Sequence, residues 1–398
     1  MNKDKSNKLL SKITFITSLG DFLSHFAILS ILFQSTTNDL KSANINRIEV
    51  IAVLLSGLII AKLISRYGVR SLIVQSQLVS FFISLFILLF FNIKTGLWTY
   101  YLFYMIMKIS EEIFKASREV ASRSIGTIPS EHRGLLAQIL QGFYAAQFVG
   151  PILSVLLLKN LPIEFPLLLD SLSFLLCVIL AKKLPKNLEL IEINKAFFKN
   201  LVHPIQSILL DKKLRKIFTL RAVGHSIPIG LFNFTIYLVV SSKFNRDIIE
   251  TAFISSATGL GGLISGTILK EKKLIKEDFN EKYISFAALV LMGFFELWFI
   301  NINNFYLAIF INFLIGLSMA ANGIASQSLR RKLTTTKEFH EVVGLEIFVS
   351  KIIELLSASI IAFLVFHNFV SKEFGIIVAS ISLIFVGFLY LSKDLDVN

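Results

Sequence analysis

Six charged residues crowd the end of an otherwise apolar stretch: after Leu97 to Met107 come Lys108, Glu111, Glu112, Lys115, Arg118 and Glu119. At 3.6 residues per turn, Lys108, Glu111 or Glu112, Lys115 and Arg118 or Glu119 follow one another on one helix face, so opposite charges alternate down a stripe. Lys108 would lie roughly 16 Å from Leu97, about halfway through a hydrocarbon core about 30 Å thick. A charge at that depth costs at least about 2.5 kcal/mol, so it must face other helices or a wet cavity. From Lys115 onward two readings stand: the helix is still within the membrane, or it has emerged from it. Further ionisable residues interrupt apolar runs elsewhere: Asp21 with His25, Asp170, Arg221 with His225, Glu296, and Glu346, Lys351 and Glu354. Asp21 and His25 are four apart and share a helix face, as do Arg221 and His225. Such groups at spanning depth are suited to binding protons or a polar substrate.

Nothing in the chain points to catalysis. There is no Walker loop, no HExxH or cysteine-ligand spacing, and no Ser, His and Asp set that can be placed at one depth. The reading is therefore of a protein that is not an enzyme, with no cofactor and no metal site. Cys177 is the single cysteine and sits in an apolar run, which excludes a disulfide within the chain.

The elements that must position these residues are membrane spans. With 398 residues, 54% of them hydrophobic, 38 Phe and only 17% charged, the chain has more apolar surface than a soluble domain of this length could bury. Apolar segments of about 20 residues predict twelve helices, at about 13–34, 46–64, 71–93, 97–120, 134–158, 165–181, 217–241, 251–269, 283–301, 305–327, 342–367 and 372–392. Lys3, Lys5, Lys8 and Lys12 before the first resemble a signal-peptide start, but the apolar run is long, holds Asp21 and lacks a small-residue cleavage pattern, so it reads as a retained helix. Most of the 40 Lys and Arg fall in alternate links, which makes that face, and both termini, cytoplasmic. The net charge of +13 is then a consequence of topology and not of nucleic-acid binding.

The organisation expected is 1–181 as one six-helix bundle, 182–216 as a basic cytoplasmic linker and 217–398 as a second bundle. Phe197, Phe198, Leu201, Val202, Ile205 and Leu209 would let the linker lie on an anionic leaflet as an amphipathic helix; a solvated linker is the other reading. A duplication is suggested by Leu19-Gly20-Asp21 with His25 against Leu220-Arg221 with His225, and by Ala121-Ser122-Arg123-Ser124 against Ala325-Ser326-Gln327-Ser328. If the repeat holds, Asp21 and Arg221 stand at equivalent positions, either as a pair that a proton or substrate breaks or as a permanent ion pair. Small residues such as Gly57, Gly150, Gly259, Gly262 and Gly266 would let helices approach closely, while Pro151 and Pro228 permit bends.

After the second span the chain reads Ala61-Lys62-Leu63-Ile64-Ser65-Arg66-Tyr67-Gly68-Val69-Arg70. This resembles the signature loop of the major facilitator superfamily, Gly-x-Leu-Ala-Asp-Arg-x-Gly-Arg-Lys, with Arg66, Gly68 and Arg70 matching and Ser65 where the family has the Asp that helps latch the cytoplasmic side. Other stretches resemble the drug and siderophore efflux branch that includes macrolide exporters: Ser18-Leu19-Gly20-Asp21, Ala116-Ser117-Arg118, Ile128-Pro129-Ser130-Glu131-His132-Arg133, Gly150-Pro151, Leu169-Asp170-Ser171-Leu172-Ser173-Phe174, and Gly259-Leu260-Gly261-Gly262 with Gly266. The resemblance implies an all-α membrane protein of twelve transmembrane helices in two pseudo-symmetric bundles. It implies a secondary transporter that exports a small organic, drug-like molecule in exchange for protons, as a monomer in the lipid bilayer of a bacterial inner membrane. Siderophore export on the same fold, a transition-metal or lysophospholipid carrier, and a non-transporting scaffold or sensor are the alternatives. On this reading Asp21, His25, Lys108, Glu111, Glu112, Arg118, Arg221, His225, Glu346 and Lys351 serve proton coupling and the substrate cavity. Ser65, Arg66, Gly68 and Arg70 form a gating loop, and Gly150, Pro151, Gly262 and Gly266 shape helix packing.

Overall fold

Turn-forming residues cut the chain into helices where the sequence places them. Asn304 accepts hydrogen bonds from the backbone N–H groups of Tyr306 and Leu307, Asn280 from that of Lys282, and Asp211 from those of Lys213 and Leu214, each capping a helix start whose first N–H groups have no partner in the helix. Asn368, at φ 56°, closes another helix, with the Phe369 N–H reaching back to the Leu364 carbonyl at 2.9 Å. The computed structural model describes residues 3–34, 66–91, 97–125, 132–185, 208–244, 251–270, 280–334 and 339–395, with positions 51–52, 55–56, 59–60, 62–64 and 205. Among these residues there is no strand.

The helices are α1 (Lys3–Gln34), α2 (Val69–Phe91), α3 (Leu97–Ile125), α4 (His132–Asn160), α5 (Glu164–Ala181), α6 (Lys212–Thr219), α7 (Ser226–Phe244), α8 (Thr251–Lys270), α9 (Glu281–Ile300), α10 (Phe305–Leu333), α11 (Phe339–Phe366) and α12 (Phe374–Tyr390). Seven of them are long and apolar enough to cross a membrane. The described positions of the second predicted span, from 51 to 64, are helical too. The protein is thus an all-α, multi-pass membrane protein. Helix ends depart from the sequence reading most at the start of α1, which begins at Lys3 instead of 13. Asn7 and Ser11 explain the extension, since both are held against Gln138 of α4. The linker helix expected around 197–209 lies almost wholly outside the described residues.

The chain divides into two units, Met1–Thr127 with Gln138–Phe198, and Ile128–Ala137 with Lys199–Asn398. In the first, α2 packs on α3 and α5, and α1 packs on α5. The second repeats these pairings, with α9 on α10 and α12, and α7 on α12. Backbones come close where side chains are smallest. A Cβ on Gly150 would stand 2.7 Å from that of Phe22, and Gly261 and Gly316 let α8 and α10 touch backbone to backbone. In membranes, packing of this kind replaces a hydrophobic driving force between helices. Gly262 and Gly266 are buried on α8 beside Gly261. Pro151 lies inside α4, where it leaves the Gln147 carbonyl without its helical donor.

Between α6 and α7 the helix widens into one π turn, Leu220–His225. Pro228 has no N–H to offer the Gly224 carbonyl, which removes an α-type bond at this point. The turn carries both Arg221 and His225, and it presses Gly224 against Val386 of α12.

These contacts also set the register of the repeat. Phe22 meets Gly150 in the first unit, and Gly230 meets Glu354 in the second, at 2.5 Å from where a glycine Cβ would stand. Gly230 lies 208 positions after Phe22 and Glu354 lies 204 after Gly150; the second offset is that of Ala121 to Ala325, whereas Asp21 and Arg221 are 200 apart. By packing, Arg221 falls opposite Ile13 and Thr14, two turns before Asp21. The sequence match joined residues of similar type; the helices are aligned by where they touch.

Candidate functional site

The stripe on α3 closes upon itself. Lys108 Nζ donates to Glu111 Oε2 at 2.8 Å, Lys115 Nζ to Glu111 Oε1 at 2.6 Å and to Glu112 Oε1 at 2.8 Å, all at spacings of three or four residues. Lys108 also lies 5.3 Å from the ring centroid of Tyr104, whose hydroxyl is 3.2 Å from His25 Nδ1 on α1. The charged groups that act most strongly on Asp21 are Glu111, Asp170, Lys108 and Lys115. Arg118, set 5.7 Å from the Phe114 ring, donates to Thr14 Oγ1 at 3.4 Å. The first unit therefore brings Asp21, His25, Lys108, Glu111, Glu112 and Arg118 together along the seam of α1 with α3. The arrangement holds charges of both signs close to a carboxyl that belongs to none of the ion pairs.

The second unit builds its cluster across helices. Arg221, on the π turn, donates through Nε to Glu346 Oε1 of α11 at 2.8 Å, and through Nη1 to Ser326 Oγ of α10. Arg330 of α10 meets the other Glu346 oxygen at 2.9 Å and lies 5.3 Å from the Phe339 ring. Glu346 and Arg330 are 5% and 2% exposed and Arg221 is partly buried, so this carboxylate and its two guanidinium groups are a mutually dependent set. Lys351 pairs with Glu354 one turn on. His225 stands among Arg221, Glu346 and Lys351, and its Nδ1 is buried without a hydrogen-bond partner.

In the loop before α2, Gly68 has φ 75°, a conformation that costs glycine little and a side-chain-bearing residue more. Arg70 Nη2 donates to the Lys182 carbonyl at the end of α5 at 2.5 Å, and the Arg66 guanidinium lies 5.2 Å from the Tyr67 ring. Ser65 lies outside the described residues.

Sequence reasoning missed two partners and two seams. Ser326 appeared only as part of a repeat, and Arg330 was not singled out. Asp170 and Glu296 stood out as intramembrane acids without a role. Each is fully buried against a serine, Asp170 against Ser84 at 3.1 Å and Glu296 against Ser380 at 3.3 Å. Serines are too common in these helices for either to be picked out by type.

A family model described as Major Facilitator Superfamily matches residues 13–350. A search of curated proteins finds no match. Among solved structures, the chain is similar to one described as the crystal structure of the human organic anion transporter MFSD10 (TETRAN). The TM-score is 0.76 and the identity 13%, over 96% of this chain and 99% of that one.

Proposed function

The chain belongs to the major facilitator superfamily, and we propose that this secondary transporter is a proton-coupled antiporter exporting a small, drug-like organic molecule by alternating access. Both family and fold are those of transporters, not of enzymes. The remaining parts of the proposal are a monomer in a bacterial inner membrane with both termini in the cytoplasm. External labelling of single cysteines should then reach positions near Lys94 and Lys243 and miss Lys195; labelling at Lys195 on intact cells would reverse the topology.

One observation carries the coupling mechanism: the Asp21 carboxyl has Lys108, Glu111 and Lys115 as charged neighbours and takes part in none of their ion pairs. An acid in that position can take up a proton without tearing a salt bridge apart. When the proton leaves, Lys108 and Lys115 can share their charge between Glu111 and Asp21. His25, anchored by Tyr104, stands four residues away on the same helix.

The experiment uses inside-out vesicles, an imposed pH gradient, and three probes: ethidium, erythromycin and carboxyfluorescein. The parent protein is expected to accumulate at least one of them and to stop when the gradient is collapsed. Asp21→Asn keeps the shape of the side chain and removes its proton, so accumulation should cease while probe binding survives. Accumulation by Asp21→Asn at the parent rate makes Asp21 structural, and accumulation that ignores the gradient removes proton coupling altogether.

A further inference from the structure

The seams of α2 with α5 and of α9 with α12 are built alike, with the roles of their residues exchanged. In the first, the acid Asp170 is on α5 and the hydroxyl Ser84 on α2; in the second, the acid Glu296 is on α9 and the hydroxyl Ser380 on α12. Ser84 and Glu296 are 212 positions apart, and Asp170 and Ser380 are 210 apart, so the same two places hold an acid and a hydroxyl in opposite order. Both acids are 0% exposed, and each has one carboxyl oxygen, Asp170 Oδ1 and Glu296 Oε1, with no hydrogen-bond partner.

The hydrogen bonds separate the two. Ser380 Oγ lies 2.7 Å from the Ile376 carbonyl and 3.3 Å from Glu296. A serine has one proton to donate, and the shorter contact claims it, so a bond between Ser380 and Glu296 must use the carboxyl's own proton. Among the described residues, no charged group acts on Glu296. Asp170 is placed differently. Ser84 Oγ is closer to Asp170 Oδ2, at 3.1 Å, than to the Leu167 carbonyl, at 3.4 Å, and is itself supplied by Ser171 Oγ at 2.9 Å. The Ser24 hydroxyl of α1 donates instead to the Asp21 carbonyl at 3.2 Å. The free oxygen, Oδ1, lies against the backbone of Gly20, 2.5 Å from where a Cβ would stand, next to Asp21 in sequence. The ionisable groups facing Asp170 are Asp21 of α1, Lys108 and Glu111 of α3, and Cys177 of its own helix; α2 has none beyond Arg70 at its start.

We propose that Asp170 is a second proton-binding site, gaining and losing a proton at Oδ1 together with Asp21, while Glu296, its counterpart in the other unit, keeps its proton throughout. The coupling role rests on the proton-antiport reading above. As a carboxylate, Asp170 is held by the Ser84 hydroxyl and by the field of Lys108. As an acid, it forms an O–H bond at Oδ1 and relieves the repulsion from Asp21 and Glu111. Two acids in one field titrate as a set, so a substrate that perturbs Asp21 also reaches Asp170.

Infrared spectra of the purified protein in lipid nanodiscs, titrated across the neutral range, test this without any substrate. Asp170→Asn should remove a carboxylic-acid carbonyl band that fades as pH rises. Glu296→Gln should remove one that persists at every pH. Ser84→Ala keeps the acid but takes away its donor, and should displace the titrating band; it also serves if Asp170→Asn folds poorly. A titrating band untouched by both Asp170→Asn and Ser84→Ala overturns the proposal. Failure of the vesicle experiment with an intact Asp170 band would instead remove the transport reading and leave the titration standing.

Discussion

The two units carry charge of opposite construction. In the first, the ion pairs among Lys108, Glu111, Glu112 and Lys115 all lie within α3. In the second, Glu346 of α11 ties the π turn through Arg221 to α10 through Arg330. Pairs within a helix travel with it, so α3 can shift against α1 without separating a single one. Pairs between helices resist such a shift, because separating them strands buried charge. The first unit is therefore suited to rearrangement around Asp21. The second holds three elements at a fixed spacing.

The sharpest way to break this contrast is Glu346→Gln. It leaves the buried Arg330 and the partly buried Arg221 facing a neutral amide, and removal of one member of a buried set costs about 3–5 kcal/mol. Cys177 supplies the measurement: it is the only cysteine and is fully buried, so a thiol-reactive dye reports unfolding as the temperature rises. A large fall in the midpoint is expected. A midpoint equal to that of the parent would mean that the cluster is no clamp and that Arg221 finds compensation elsewhere.

What the sequence made legible follows from how far each signal reaches along the chain. Spans show as runs of apolar residues, and the α3 stripe shows because its partners are three or four residues apart. Glu346 stands 125 residues from Arg221, and nothing local announces the pairing. The π turn is equally silent, although Pro228 marks the place where an α-type bond must fail. The match of Asp21 with Arg221 rested on neighbouring Leu and His residues, whereas the contacts of Gly150 with Phe22 and of Gly230 with Glu354 set α1 and α7 about 208 positions apart, and the match of Ala121 with Ala325 keeps the 204 offset of Gly150 to Glu354. At the seams of Asp170 and Glu296 the duplication is hidden altogether, because acid and serine have exchanged places.

Glu111→Gln sharpens the comparison from the other side, with a smaller effect expected on stability. Glu111 is the hub of the α3 stripe, accepting from Lys108 and Lys115, whose side chains are 14% and 36% exposed. Neither lysine is fully buried, and Lys115 keeps Glu112 at 2.8 Å. Because Lys115 keeps a second carboxylate and Glu111 ties no other helix, the loss should be smaller than that for Glu346→Gln in the same thermal measurement. Transport should respond in the reverse order of stability. Without Glu111, Lys108 loses its carboxylate partner beside Asp21, and pairing with Lys108 would hold Asp21 as a carboxylate and keep it from cycling. Under an imposed pH gradient, Glu111→Gln vesicles should therefore accumulate probe at least tenfold more slowly than the parent, at nearly parental thermal stability. Equal losses of stability in the two variants would erase the distinction between a stripe that moves with one helix and a clamp that joins three elements.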